Sequence, residues 1–176
     1  MRLRQFASQN SSLEWIPLFC FFLYTYIEIK KDRMECPMNK PQPYVHKVQY
    51  YETDKMSITH HSNYVRWMEE ARVDYLSKIG WDFDKLEETG IASPVVSIEV
   101  HYKGVTTFPE EVVIEVKILA CKGVRLTLGY EMKNKEGKLV CDAKSEHCFL
   151  NTEGRPVRLE KDCPEFYETL VSLIEE

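Results

Sequence analysis

Four stretches in the second half of the chain alternate apolar and polar residues with a period of two, as a strand with one buried face does. The positions on the apolar side, in chain order, are Val96, Ile98, Val100 and Tyr102; Val112, Ile114, Val116 and Ile118; Val124, Leu126, Leu128, Tyr130 and Met132; and Leu139, Cys141, Ala143, Ser145, His147 and Phe149. Turn-forming residues at 122–123 and 134–137 separate the last three stretches. We therefore predict four antiparallel strands joined there by hairpins.

A helical spacing of apolar residues precedes these strands. Its members are Tyr64, Trp67, Met68, Ala71, Tyr75 and Ile79. Ser62 is a suitable N-cap and Gly80 a suitable stop, so the pattern predicts one long helix over residues 62–79. The opposite face carries two pairs spaced for i,i+4 ion pairing, Arg66–Glu70 and Asp74–Lys78.

Two further segments complete the predicted order of elements. Residues 45–52 are rich in β-branched and aromatic side chains and predict a first strand, and Pro164 opens a short amphipathic helix near the end of the chain. One sheet wrapped around the long helix is the economical way to bury both apolar faces. The predicted fold class is α+β, an antiparallel sheet around a long central helix.

The first forty residues have a different character. Residues 16–27 form an apolar, aromatic run that is too short to span a bilayer core of about 30 Å, and no small-residue cleavage site follows it. Residues 38–43 are polar and spaced by prolines. We expect residues 1–43 to be an extension outside the domain, disordered or not native, with Met34 or Met38 as the native start and a membrane anchor as the alternative. Residues 44–176 are the predicted domain.

Composition excludes several classes of protein. The chain has 176 residues, 44% of them hydrophobic, and a net charge of -5, which suits one globular domain and offers no basic surface for nucleic acid. Six cysteines occur without a C-x-x-C pair, so we expect free thiols, a cytoplasmic location and no metal site. No nucleophile elbow, phosphate-binding glycine loop or dinucleotide fingerprint is present.

The candidate chemistry lies between the first strand and the long helix. Asp54, His60 and His61 precede the helix N-terminus, whose amides carry partial positive charge. A carboxylate beside such an end can attack a carbonyl or deprotonate water while the amides stabilise an oxyanion. Equally, Asp54 can serve only to cap a turn and the histidines can be solvated loop residues. The residues alone leave both interpretations open.

The order of these residues resembles a known family. Tyr-x-x-Thr-Asp at 50–54, then His61 and Tyr64, then Met-Glu-x-Ala-Arg at 68–72, is similar to the hotdog-fold acyl-CoA thioesterases, especially the 4-hydroxybenzoyl-CoA thioesterase and Tol–Pal-associated groups. The resemblance covers residues 44–150 and includes the order of elements. One departure concerns Ser57, because the family usually has glycine three positions after the aspartate.

The resemblance implies hydrolysis of an acyl-CoA thioester to a free carboxylic acid and CoA, with no cofactor beyond the CoA of the substrate. Asp54 would be the nucleophile or the general base. His61 would orient water or the thioester, and Tyr64 would form a pocket wall. Backbone amides near Ser62, or those of a neighbouring subunit, would hold the carbonyl oxygen.

Further contacts are expected from the chemistry of an acyl-CoA substrate, whereas the assembly is implied by the resemblance. Trp67 would contribute to the depth of the acyl pocket, and the cations considered for the CoA phosphates are Lys103, Lys122 and Arg125. Similar proteins assemble as homodimers or homotetramers with active sites between subunits, and we expect no membrane span. Two alternatives remain: an acyl-thioester hydratase or dehydratase of the same fold, and a non-catalytic acyl-CoA-binding module.

Overall fold

The structure is a computed structural model that describes residues 40–174. The strands are β1 (Tyr44–Lys47), β2 (Val95–Tyr102), β3 (Glu111–Lys122), β4 (Arg125–Asn134) and β5 (Leu139–Cys148). The helices are α1 (Ser62–Lys78), α2 (Phe83–Glu88), α3 (Leu159–Asp162) and α4 (Pro164–Ser172), and a 3-10 turn spans Tyr50–Glu52. The expected extension at residues 1–43 falls almost wholly outside the described residues.

The five strands form one antiparallel sheet in the order β1-β3-β4-β5-β2. Both predicted hairpins are confirmed: Lys122 pairs with Arg125 across the first link, and Gly137 has the positive φ of +77° that its turn requires. The predicted apolar faces of β3, β4 and β5 are buried, with Ile114, Ile118 and Met132 fully enclosed.

Helix α1 lies against this sheet and buries the predicted aromatic stripe, with Trp67 fully enclosed. The predicted N-cap is wrong by one residue: Ser62 is the first residue of the helix, and His61 occupies the N-cap position without a side-chain capping bond. Of the two expected ion pairs, Asp74–Lys78 is formed at 2.5 Å. Glu70 instead accepts hydrogen bonds from β1, which the sequence spacing could not indicate.

Two predicted strands differ from the structure. The first strand ends at Lys47 instead of Glu52, because the Glu52 carboxylate turns back to the Gln49 amide and closes the 3-10 turn. Strand β2 spans Val95–Tyr102, close to the predicted positions 96–102, but it lies at the sheet edge, and Val96 and Ile98 are exposed where alternation implied burial. Alternation identifies the faces of a strand but not its place in the sheet.

The two short helices α2 and α3 were not predicted. Helix α2 begins after Asp82, whose carboxylate accepts a hydrogen bond from the Lys85 amide at 2.9 Å as an N-cap does.

The four cysteines at 121, 141, 148 and 163 are free, as expected. Within residues 40–174, no helix is long and apolar enough to cross a membrane.

Candidate active site

The loop that carries Asp54 is a tight turn between the 3-10 turn and α1. Thr53 and Thr59 face each other in an isolated β-bridge, and between them the Asp54 amide donates to the Ile58 carbonyl at 2.9 Å. The Asp54 Oδ1 atom accepts a hydrogen bond from the Met56 amide at 2.7 Å. This is the one hydrogen bond that the Asp54 carboxylate accepts from residues 40–174. Asp54 therefore shapes the turn with one oxygen, while its other oxygen accepts no hydrogen bond from residues 40–174.

Ser57 completes this turn in a left-handed backbone conformation, with φ of +62°. It is the residue that stands where the resembled family has glycine. Among the described residues it is the one non-glycine residue with positive φ. The turn therefore keeps a glycine-type geometry although its residue is serine, which imposes a conformational cost.

Asp54 lines a cavity of about 190 Å³ that opens to solvent. The lining residues are Asp54, Ile58, Thr59, His61, Tyr64, Tyr102, Gly104 and Val105. They come from the loop, the start of α1 and the end of β2. The cavity thus brings together three of the predicted site residues, Asp54, His61 and Tyr64.

Two tyrosines form the wall of the cavity opposite the loop. Tyr64 is buried and its hydroxyl lies 3.0 Å from Thr106 Oγ1, which in turn donates to Thr59 Oγ1 at 2.7 Å. Tyr102 packs edge-on against Tyr64, with ring centroids 5.2 Å apart. Burial raises the pKa of both tyrosines above the ordinary value, so both remain neutral hydrogen-bonding groups at neutral pH.

Sequence reasoning did not select Thr59, Tyr102 or Thr106 for the site. Tyr102 was assigned only to the apolar face of a strand, yet its hydroxyl donates to the His61 carbonyl at 3.1 Å. Its partner is 41 residues away in the chain, so no local spacing indicated the contact. The one feature of the sequence that could have pointed to Tyr102 as a site residue is its position at the end of a predicted strand.

The N-terminus of α1 adjoins the cavity through His61. The His61 side chain is exposed and its ring lies 4.2 Å from that of His60, while the Ser62 hydroxyl contacts His60 Nδ1 at 2.8 Å. No acidic residue occupies the first turn of α1. The Ser62 amide donates to His60 Nδ1 at 3.4 Å and the Asn63 amide donates to the His60 carbonyl at 3.0 Å, so this end of the helix contributes its partial positive charge near the cavity while both of these amides already have acceptors.

The remaining predicted site residues lie elsewhere. Trp67 is fully buried and donates its Nε1 hydrogen to Glu52 at 2.8 Å, so it belongs to the core and does not line the cavity. Lys103 is exposed beside the cavity residue Tyr102 and forms an ion pair with Asp142 at 3.2 Å. Arg125 is paired with Glu146 at the β3–β4 hairpin. In residues 40–174 no group of three or more potential metal ligands occurs.

Comparison with known proteins places this geometry in a family. The profile of the thioesterase-like superfamily matches residues 48–170. A curated Bacillus subtilis protein, "Putative acyl-CoA thioesterase YneP", is 33% identical over 122 residues, which are 69% of this chain and 88% of the relative. A "Putative esterase" of Aquifex aeolicus is 30% identical over 122 residues, which are 69% of this chain and 94% of the relative.

A solved structure agrees with these matches. The DHNA-CoA thioesterase from Staphylococcus aureus superposes with a TM-score of 0.71 at 32% identity, covering 74% of this chain and 89% of that one. The chain therefore belongs to the thioesterase-like superfamily. This confirms the predicted hotdog fold and the thioester hydrolase class, whereas the resemblance to the 4-hydroxybenzoyl-CoA and Tol–Pal-associated groups stays a prediction.

Proposed function

We propose that this protein is an acyl-CoA thioesterase in which Asp54 is the catalytic carboxylate. The observation that carries the proposal is the position of Asp54 in a cavity that also contains the N-terminal end of α1. The overall reaction adds water to the thioester, breaks the carbon–sulfur bond and releases a carboxylic acid and free CoA. The names of the Bacillus subtilis relative and the Staphylococcus aureus structure support this class of substrate.

Two routes use the same carboxylate. As a nucleophile, the free oxygen of Asp54 attacks the thioester carbonyl, CoA leaves as a thiolate, and water then hydrolyses the resulting anhydride. As a general base, Asp54 takes a proton from a water molecule that attacks the carbonyl directly. In both routes negative charge develops on the carbonyl oxygen, and backbone amides near Ser62, or those of a neighbouring subunit, stabilise it.

The other predicted site residues receive supporting roles in this proposal. His61, which is exposed at the mouth of the cavity, orients water or the thioester. Tyr64 is a neutral wall residue whose hydroxyl is tied to Thr106. Lys103 contacts a CoA phosphate after release from Asp142, because charge-assisted bonds to phosphate are strong. Trp67 acts on the acyl pocket only from the core, through the packing of α1.

We further propose that two or four copies of the chain associate through β2. This eight-residue edge strand exposes Val95, Val96, Ile98 and Tyr102, and an open apolar edge is a template for pairing with another strand. The β2 residue Tyr102 also lines the cavity, so pairing there would bring a second copy beside the active site. Residues 44–176 would be the domain that assembles, and the free thiols support a cytoplasmic location.

The reaction is tested with a panel of short, long and aromatic acyl-CoAs. Release of free CoA thiol is followed with a disulfide dye, and water addition to an enoyl-CoA is followed in parallel by loss of its absorbance. The proposal expects thiol release on at least one substrate and no hydration. Hydration without thiol release would favour the hydratase alternative, and acyl-CoA binding without either reaction would favour the binding module.

A further inference from the structure

Glu52 is a buried carboxylate two residues before Asp54. It is only 5% exposed, and three donors surround it: the Trp67 indole at 2.8 Å, the Gln49 amide at 2.7 Å and the His46 ring at 3.0 Å. Burial alone would raise the pKa of Glu52, but these hydrogen bonds outweigh it and hold the pKa below its usual value. Glu52 is therefore an ionised carboxylate, and its oxygens are hydrogen-bonded to groups of the protein itself.

The main chain of Glu52 fixes the same loop from the other side. Its carbonyl oxygen accepts two hydrogen bonds, one from the His60 amide at 2.8 Å and one from the Asn63 side chain at 2.8 Å. Residues 52 and 60 are the two ends of the turn that carries Asp54. The side chain of Glu52 is thus bound to α1 through Trp67, while its backbone holds the loop closed.

Strand β1 extends this network away from the cavity. The His46 ring bridges two carboxylates, with Nε2 3.0 Å from Glu52 and Nδ1 3.1 Å from Glu70. The Tyr44 hydroxyl donates to Glu70 at 2.9 Å. None of these side chains lines the cavity that contains Asp54. The network therefore reaches the site through the loop that Glu52 anchors and through the Trp67 ring, which packs on the cavity residue Tyr64 with ring centroids 4.7 Å apart.

We propose that Glu52 is the positioning residue for Asp54: by bonding Trp67 with its carboxylate and His60 and Asn63 with its carbonyl, it fixes the loop that aims Asp54 into the cavity. This inference rests on the proposed function of Asp54. A displacement of about 1 Å in a reacting group can lower a rate on the order of 100-fold. Loss of this anchor therefore acts on the chemical step more than on substrate binding.

The test is a double-mutant cycle in steady-state thiol release, using Glu52→Gln, Asp54→Asn and the double variant. Glutamine keeps the shape of Glu52 but turns one acceptor oxygen into a donor that opposes the N–H groups around it. We expect Glu52→Gln to lower kcat about 10- to 100-fold with KM changed less than about threefold. In the Asp54→Asn background the same change should lower kcat no further, because its effect passes through Asp54.

Two further variants keep the test decisive. Glu131→Gln is a control for the same chemical change at a more exposed carboxylate, since Glu131 bonds Lys117 and Lys133 and does not line the cavity, and it should leave kcat unchanged. Trp67→Phe removes one donor to Glu52 while keeping an aromatic ring, and it should lower kcat about 3- to 10-fold if Glu52→Gln does not fold. Thermal unfolding of every variant accompanies the kinetics.

Each outcome separates the two claims. If the wild-type protein is active and Glu52→Gln, or Trp67→Phe in its place, keeps the wild-type kcat, the positioning role of Glu52 is overturned. The proposed catalytic role of Asp54 is not affected by that result. An equal loss from Glu52→Gln in the wild-type and the Asp54→Asn backgrounds would also overturn it, because a general structural effect behaves in that way. A wild-type protein that releases no thiol would instead contradict the proposed function itself.

Discussion

Ser57 holds a backbone conformation that serine seldom adopts, three residues after the proposed catalytic carboxylate. Its φ of +62° lies in the left-handed region, where the Cβ atom crowds the following carbonyl. The turn is nevertheless closed by the hydrogen bond from the Ser57 amide to the Asp54 carbonyl at 3.0 Å. The loop therefore keeps the turn that follows Asp54 although the serine side chain disfavours this backbone conformation.

Replacing Ser57 with glycine should stabilise the protein. The relief of a left-handed serine, on the order of 1–2 kcal/mol, is partly offset by the greater freedom of glycine in the unfolded chain, so we expect a net gain of about 0.5–1 kcal/mol. Urea unfolding measures it. Ser77→Gly, within α1, is the matched control and should instead lose about 0.5 kcal/mol. A loss of stability in Ser57→Gly would show that the turn is not strained.

His147 is a buried titratable residue on β5 whose Nε2 atom lies 2.8 Å from Ser145 Oγ. Burial, assisted by the nearby Arg72 charge, lowers its pKa to about 4. The unfolded chain, with an ordinary histidine pKa of about 6.5, binds this proton at higher pH than the native protein does. Stability therefore falls as the pH drops from about 6.5 toward about 4.

The His147 contribution is testable through the pH dependence of unfolding. Between about pH 7.5 and pH 5, His147 should account for a loss of about 2 kcal/mol in the free energy of unfolding. His147→Gln should remove that part of the pH dependence, whereas His101→Gln, which changes an exposed ring on β2, should retain it. The same pH dependence in His147→Gln and wild type would contradict the account.

At the scale of elements, alternation and helical spacing predicted four of the strands and the long helix to within a few residues. The ends of these elements could not be predicted, since they depend on contacts that local spacing does not indicate. Strand β1 ends at Lys47, and the 3-10 turn that follows ends at Glu52, whose carboxylate accepts a hydrogen bond from Trp67, 15 residues away. Alternation likewise showed which face of β2 is apolar but not that β2 lies at the edge of the sheet.

Strand β3 contains an irregularity that one glycine accommodates. The register with β4 shifts between Ile118 and Ala120, so Leu119 is the additional residue, and its side chain lies over Gly129. A Cβ atom on Gly129 would be 3.1 Å from Leu119 Cδ1. A side chain at position 129 therefore competes directly with Leu119 for space.

Gly129→Ala should consequently destabilise the protein by about 1 kcal/mol, as a small overpacking change does. In a Leu119→Ala background the same substitution should be neutral or stabilising, because the crowding atoms are gone. Urea unfolding of the four proteins gives the coupling, which we expect to be about 1 kcal/mol. Additive effects would show that Leu119 moves aside at no cost.

At the scale of the whole molecule, β1 and β2 are the two edge strands of the described sheet, and β2 is the longer one and exposes several apolar side chains. We predict that Ile98→Lys, which places a charge at the β2 edge, converts the proposed assembly into a monomer and lowers thiol release. Light scattering after size exclusion measures the mass. Val171→Lys, an equally exposed apolar position on α4, should leave the mass unchanged. A monomeric wild-type protein would contradict the proposed assembly.

The candidate site could be predicted only as far as its residues are local in the chain. Asp54, His61 and Tyr64 occur within eleven residues, and the structure brings them to one cavity. Tyr102 lines the same cavity from the end of β2, and Thr106 lies behind it against the Tyr64 hydroxyl; no spacing indicated either contact. Trp67 has the same helical spacing as Tyr64, yet one faces the core and the other the cavity, because a stripe of aromatic residues does not distinguish these environments.

The most direct measurement of the central claim is thiol release by Asp54→Asn on the best acyl-CoA substrate of the wild-type protein. Asparagine keeps the acceptor oxygen for the Met56 amide but loses the charge, so the turn should persist while catalysis fails. We predict a fall in kcat of at least about 1,000-fold with unchanged thermal unfolding and retained acyl-CoA binding. Wild-type turnover by a folded Asp54→Asn protein would contradict the assignment of Asp54 as the catalytic carboxylate.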